Sequence, residues 1–345
     1  MNNVRIGLIA RSDNSGLGNQ TRELAYMLNP SKILLIDSYS FNRNEQHPEW
    51  YKEYNVKKNS GFISDRVAQE FLKDLDVVIS CEIFYNKNFP IFARENGVKT
   101  ILQYNYEFLD NLQNNKLPLP DILLSPSKWN LEDVVSKFGK SCKVLHLPPP
   151  TDHKLFERAR QLNSKQTRKI LHIAGKVAVN DRNGTDTVIE MMKYCKEDFV
   201  LEIRSQSKLR YSIDDDRIKI ITENVAKQED LYSGYDAMVL PRRYAGLCLP
   251  MNEALLSGLP VFMTDVSPNN QVLPSDWLVE SHVIGKLMTR TLLNVYSADP
   301  VQLAQKIDSY MSEDQEESKL KAFEIGYENF SYESLKPKYL EILGT

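Results

Sequence analysis

Two cations a short loop apart, Lys176 and Arg182, follow an apolar run at 169–174. Arginine offers phosphate oxygens a planar fork and lysine a point charge, so the pair suits a diphosphate, although each alone reads as a solvated surface charge. A second anion-seeking segment is 241–260, PRRYAGLCLPMNEALLSGLP, where an apolar run at 237–240 passes through a turn into a helix opening near Pro250. The backbone N–H groups of Gly246, Leu247 and Cys248 would point beyond the strand end, a geometry that favours phosphate. Glu253, one turn into that helix, would repel phosphate. It reads either as an acceptor for a ribose hydroxyl pair or as an acid complementing the helix dipole. Arg242 and Arg243 precede the turn, and one of them is expected to face solvent.

In open parallel sheets ligands sit beyond the carboxyl ends of the strands, which brings in the other strand-end loops. The run at 4–10 leads into Asp13, Gly16 and Gly18 and then into a helix expected from Asn19. Glycines there allow a backbone to approach a ligand, and the helix start could hold an anion; a plain tight turn fits equally well. It is not a dinucleotide fingerprint, because the third glycine is absent and no acid sits at the place expected for a ribose, Asp37 being close but a weak match. Gly175 follows the run at 169–174, and the polar loop 264–270, which includes Asn270, could cap a ligand as many surface loops could. Asp13 and Glu107 are candidate acids in the first half, where Tyr104 lies in an aromatic and charged stretch at 103–107.

Elements that would position these residues follow from alternation. Apolar runs of strand type fall at 4–10, 33–37, 76–80, 99–103, 121–124 and 143–147, with helical patterns at 19–28, 64–72, 88–96 and 128–138 between them. After Pro148-Pro149-Pro150 and a polar linker at 151–168, a second series runs through 169–174, a helix at 184–194, and 199–204, 218–222, 237–240 and 260–263. Strands alternating with helices make parallel sheets covered on both faces, so the expected fold class is α/β with two doubly wound, Rossmann-like domains. Asp299-Pro300 has the chemistry of a helix start, and the rest to Leu343 reads as helical with a break around 329–331.

The chain has 345 residues, beyond the usual size of one domain, with 42% hydrophobic residues, 26% charged residues and a net charge of −3. No run approaches the roughly 18 apolar residues of a membrane span, and the N-terminus enters a strand pattern directly, so a cytoplasmic location is expected. Cys81, Cys142, Cys195 and Cys248 show no paired spacing and the five histidines no metal spacing, so neither disulfides nor a metal site is expected. His146 and His172, in apolar runs, read as core histidines. The acidic balance gives no general attraction to nucleic acid.

Together the loops resemble the retaining glycosyltransferases of family four, the glycogen synthase-like enzymes with the two-domain fold called GT-B. The resemblance is carried by Gly246-Leu247-Cys248-Leu249-Pro250 followed by Glu253-Ala254 and Ser257-Gly258-Leu259-Pro260-Val261, by Gly175-Lys176 and Arg182-Asn183-Gly184, and by Phe330-Ser331-Tyr332-Glu333 before Tyr339. It spans nearly the whole chain and is stronger in the second half. It implies two domains facing each other across a cleft: 1–150 binding the acceptor, 151–168 a linker, 169–320 binding the nucleotide sugar, and 321–345 crossing back to the first domain. It implies a nucleoside diphosphate sugar as donor, expected to be UDP-linked, with no other cofactor and no metal. Lys176 and Arg182 would act on the diphosphate; Gly16, Gly18, Gly175, Gly246, Leu247, Cys248, Glu253 and Asn270 would line the donor. The first Glu of the family's paired motif is replaced by Ala245, which removes an acceptor for sugar hydroxyls; a pentose donor, or Tyr244 or Asn270, would compensate.

The implied activity is transfer of a hexose or pentose to a hydroxyl acceptor with retained configuration. The acceptor is a sugar or small molecule, or a hydroxymethylated base in DNA, for which Tyr104 would stack and Lys57 and Lys58 meet phosphates. Other readings are a sugar-nucleotide epimerase and a nucleotide-sugar binding module without turnover.

Overall fold

The computed structural model describes residues 4–110, 112, 116–175, 177, 181–209, 213–244 and 246–344, and of Phe41 and Asn42 only the backbone. The chain divides into two compact units. Unit 1 comprises Met1–Thr151, Thr289–Thr291 and Tyr332–Thr345, and unit 2 comprises Asp152–Met288 and Leu292–Ser331.

Unit 1 is built on a parallel sheet of β1 (Ile6–Arg11), β2 (Lys32–Asp37), β3 (Val56–Ser60), β4 (Val77–Cys81), β5 (Lys99–Gln103), β6 (Ile122–Ser125) and β7 (Lys143–His146), in the order β3-β2-β1-β4-β5-β6-β7. The central strands are apolar along their length because helices cover both faces of a parallel sheet. Successive residues of a strand point to opposite faces, so Leu8 enters one core cluster and Ile9 the other. β3, with sequence VKKNS, is an edge strand the apolar pattern did not reveal. Lys57 on it is ion-paired to Glu70 at 2.6 Å.

The first helix runs from Gly16 to Leu28 rather than starting at Asn19. Ser15 is its cap: Oγ accepts from Gly18 N at 3.1 Å, satisfying one of the free amides of the first turn. Gly18 is needed for packing, since a Cβ there would lie 1.9 Å from the Asp13 carbonyl oxygen.

In unit 2, β8 (Lys169–Gly175), β9 (Val200–Ser205), β10 (Ile218–Ile221), β11 (Ala237–Leu240), β12 (Val261–Thr264) and β13 (Leu278–Val279) form a parallel sheet in the order β10-β9-β8-β11-β12-β13. An antiparallel hairpin follows, β14 (Ser281–Met288) and β15 (Leu292–Ala298), which adds to the elements expected from the sequence. Its tip belongs to unit 1, where Thr289 Oγ1 and Arg290 N donate to the Glu107 carbonyl at 3.0 and 3.1 Å.

The helical C-terminal region matches expectation. Asp299 caps Pro300–Ser312 by accepting from Val301 N at 2.8 Å, and Ser331 separates Glu316–Phe330 from Tyr332–Leu343. The last helix is part of unit 1: Leu335, Tyr339 and Leu343 enter its core, and Tyr339 Oη donates to the Pro148 carbonyl at 2.9 Å. Among the described residues no helix is long and apolar enough to cross a membrane. All four cysteines are free.

Candidate functional site

Both strand orders contain a point where the chain reverses the direction in which strands are added, between β1 and β4 in unit 1 and between β8 and β11 in unit 2. Loops leaving the two flanking strands diverge there and open a crevice, which is where doubly wound sheets take ligands.

In unit 2 the flanking loops start at Gly175 and Pro241. Gly175 has φ +67°, a left-handed conformation that suits glycine. Beyond it, Asp181 turns its carboxylate onto the start of the helix Thr185–Met191, accepting from Thr185 N at 2.8 Å and Asp186 N at 3.0 Å. Burial would push this carboxyl up, but those amides outweigh it and hold it below its ordinary value. That helix start is therefore already occupied by an anion of the chain itself. Gly184, at φ +72°, brings this loop against the next, since a Cβ there would lie 2.4 Å from the Pro241 carbonyl oxygen.

The two loops are stitched together. Arg243 N donates to Arg182 O at 2.9 Å, Arg182 Nε donates to Tyr244 O at 3.4 Å, and the Arg182 guanidinium lies 5.3 Å from the centre of the Tyr244 ring. Arg182 and Tyr244 are thus neighbours. Neither arginine of the 242–243 pair faces solvent, contrary to the sequence expectation. Arg243 is tied to Asp186 and lies 3.9 Å from Asp181, whereas Arg242 is 5% exposed and donates from Nη1 to Leu247 O at 3.0 Å. Asp186 and Asp181 are distant from Arg243 in sequence, so their pairing was not visible there.

The helix Leu249–Leu256 opens with Pro250 in its first turn and without a side-chain cap, and among the described residues the amides of Leu247, Cys248 and Leu249 have no acceptor. Gly246 and Cys248 lie in the same turn. Glu253 is buried and oriented, accepting from Gln228 Nε2 at 2.6 Å and from Tyr232 Oη at 2.5 Å. Burial, first, and the Glu253 charge push the Tyr232 hydroxyl well up, so it remains a donor. Asn270 is exposed and donates to Asp265 Oδ1 at 2.9 Å. Its loop is linked to the others through Thr264, whose Oγ1 donates to Arg242 O at 2.8 Å. Lys176 and Ala245 lie outside the described residues.

Buried in the same unit, His172 is the core histidine the sequence implied. Its Nδ1 lies 2.8 Å from Val239 O and its Nε2 3.0 Å from Thr185 Oγ1, and burial lowers its affinity for a proton.

In unit 1 the residues chosen from sequence are used differently. Asp13 is fully buried and accepts from Arg11 Nε at 2.7 Å, Ser15 N at 2.9 Å and Ser38 Oγ at 2.5 Å. Burial would raise its carboxyl, but Ser15, Ser38 and Arg11 outweigh this and hold it low. It organises the loop after β1 rather than standing open in a cleft. Gly16 is the first residue of the helix that follows. Tyr104 is packed into the core at 3% exposure and offers no open ring for stacking. Glu107 is buried, with its backbone carbonyl holding the hairpin tip.

Glu82, for which the sequence offers no motif, directly follows β4 at the crevice. Its φ is +65° and its Oε1 accepts from Asn105 Nδ2 at 2.7 Å. Burial pushes its carboxyl up, against Asn105 and Arg11, with the charges of Glu107 and Asp13 adding to the rise. Its signal in the sequence is position alone: an acid following the apolar run VVISC.

No family model and no curated protein matches the chain. Solved structures do. A glycosyltransferase from Rickettsia africae superposes with a TM-score of 0.70 at 14% identity, covering 99% of this chain and 98% of that one. Anabaena HepE in complex with UDP gives 0.71 at 12% identity over 99% of each chain. An alpha-glucosyltransferase in complex with UDP gives 0.61 at 9% identity, covering 99% of this chain and 100% of that one. The chain has the GT-B fold.

Proposed function

We propose that this GT-B protein is a metal-independent glycosyltransferase that moves a sugar from a nucleoside diphosphate donor, UDP-linked, to a hydroxyl acceptor with retention of configuration. The observation that carries this reading is the unit 2 crevice, where the amides of Leu247, Cys248 and Leu249, without an acceptor among the described residues, stand in the same loop system as Arg182 and Arg242. Structures of similar fold hold UDP, and one holds UDP-glucose, which favours uridine as the donor base.

In this reading residues 169–320 bind the donor and residues 1–150 the acceptor. The bond from the anomeric carbon to the β-phosphate oxygen breaks, the acceptor oxygen bonds to that carbon, and the acceptor proton passes to the leaving phosphate. Negative charge grows on the diphosphate during this step. Arg182, the turn amides and Lys176 would stabilise it, a role for which preorganised donors suffice without a metal. Glu253, held by Tyr232 and Gln228, presents a fixed carboxylate to the ribose hydroxyls. Glu82 is the acceptor-side carboxyl at the other crevice.

The test is thermal stabilisation by uridine, guanosine, adenosine and thymidine diphosphates and their sugars, followed by product analysis. Selective stabilisation by UDP-sugars, release of UDP and a new glycoside of the donor's configuration are expected. Binding without release would mean a nucleotide-sugar sensor, an altered sugar on intact nucleotide an epimerase, and the absence of any stabilisation would remove the donor site.

A further inference from the structure

Arg242 is a buried cation with no counter-ion among the described residues. It is 5% exposed, and among the described residues no carboxylate pairs with it and the one hydrogen bond of its guanidinium is from Nη1 to the Leu247 carbonyl at 3.0 Å. Its Nε is buried with no acceptor. Its neighbour Arg243 shows the contrast, with Asp186 and Asp181 beside it. An ion taken out of water with neither an opposite charge nor a full set of acceptors is costly, and a chain that only needed to hold the Leu247 carbonyl could do so with a neutral donor.

The guanidinium is directed at the turn that opens the helix Leu249–Leu256, because it bonds a carbonyl of that turn. Among the described residues the amides of Leu247, Cys248 and Leu249 there have no acceptor either. Donors of both kinds, a guanidinium and backbone amides, thus belong to one turn and the side chain bonded to it, a set that suits an anionic oxygen.

We propose that Arg242 is an anion-binding residue of the unit 2 crevice, with Nε and Nη2 receiving an anionic oxygen of the ligand that also lies against the amides of the 247–249 turn. This rests on the donor-site reading above and sharpens it: the bound nucleotide sugar brings the counter-ion of Arg242. The oxygen comes either from the diphosphate or from a carboxylate on the transferred sugar, and the ligand series below separates the two.

The experiment compares the parent protein with Arg242→Met and Arg242→Lys, measuring melting temperature without ligand and affinity for pyrophosphate, uridine, UDP, UDP-glucose and UDP-glucuronate. Arg242→Met is expected to melt no lower than the parent without ligand, because a near-isosteric apolar side chain removes an uncompensated charge. Its affinity for the anionic ligand should fall about 10- to 100-fold, the worth of a charge-assisted hydrogen bond, while uridine binding is unchanged. The lysine variant should fall in between, keeping the charge but not the fork. Equal loss for UDP and both UDP-sugars assigns the diphosphate; loss confined to UDP-glucuronate assigns a sugar carboxylate.

A methionine variant that melts several degrees lower and binds UDP and UDP-glucuronate like the parent would overturn the proposal and leave Arg242 as a clamp on the turn. If pyrophosphate binds in an Arg242-dependent way but no nucleotide does, the donor-site reading fails and the anion site stands. If neither pyrophosphate nor any nucleotide binds the parent, both fail.

Discussion

At the scale of single residues, the loops fix their charges in different ways. Asp13, Asp181 and Arg243 are paired or capped by groups of their own unit, and Arg182 is held against the loop that leads into the 247–249 turn, its Nε donating to Tyr244 O at 3.4 Å. Arg182→Ala should therefore lower kcat by about 10²–10³-fold, the usual cost of losing one donor to a developing oxyanion, with the melting temperature little changed. Steady-state kinetics with a UDP-sugar would check it, and full activity would exclude Arg182 from the diphosphate. Glu82 gives a prediction in pH. Its native pKa is raised above its ordinary value of 4.5, so the native state holds an extra proton just above that pH and loses stability as pH rises through the native pKa. Glu82→Gln, a fixed mimic of the protonated form, should raise the melting temperature at pH 7.5 and leave it nearly unchanged at pH 4. Equal effects at both pH values would contradict the burial argument.

At the scale of elements, what the sequence reveals depends on which faces of an element are buried. Strands such as β4 and β11, covered on both sides, read as unbroken apolar runs and were legible; β3 at a sheet edge and the largely exposed β14 carry no such run and were missed. Loop chemistry was legible as residue type but not as pairing. The sequence put Arg182 and the 241–250 turn at strand ends, yet only the packing of Gly184 against Pro241 explains why they meet. That packing is testable. Gly184→Ala adds a Cβ 2.4 Å from the Pro241 carbonyl oxygen at φ +72°, so it should cost about 1–3 kcal/mol from backbone strain alone, measured as a lower urea midpoint. UDP affinity should fall as well, because the displaced loop carries Arg182. A neutral Gly184→Ala would mean the two loops are not held in this way.

At the scale of the whole molecule, the chain order and the units do not coincide, since Tyr332–Thr345 belongs with the N-terminal sheet. Leu335 is 1% exposed in the core of unit 1, while the core of unit 2 contains no residue of the last helix. Units with separate cores need not unfold as one, and a ligand held by one unit stabilises that unit's transition. Calorimetry should then show two transitions. UDP at about 100 times its dissociation constant adds about 2.7 kcal/mol to the unit that binds it, an upward shift of about 5–10 °C for a unit of this size. Leu335→Ala, which opens a cavity in unit 1 and costs about 2–5 kcal/mol there, should lower the other transition and leave the UDP-sensitive one in place. If the Leu335→Ala substitution and UDP acted on the same transition, donor binding would depend on the core of unit 1, and the assignment of the nucleotide to unit 2 alone would have to be withdrawn.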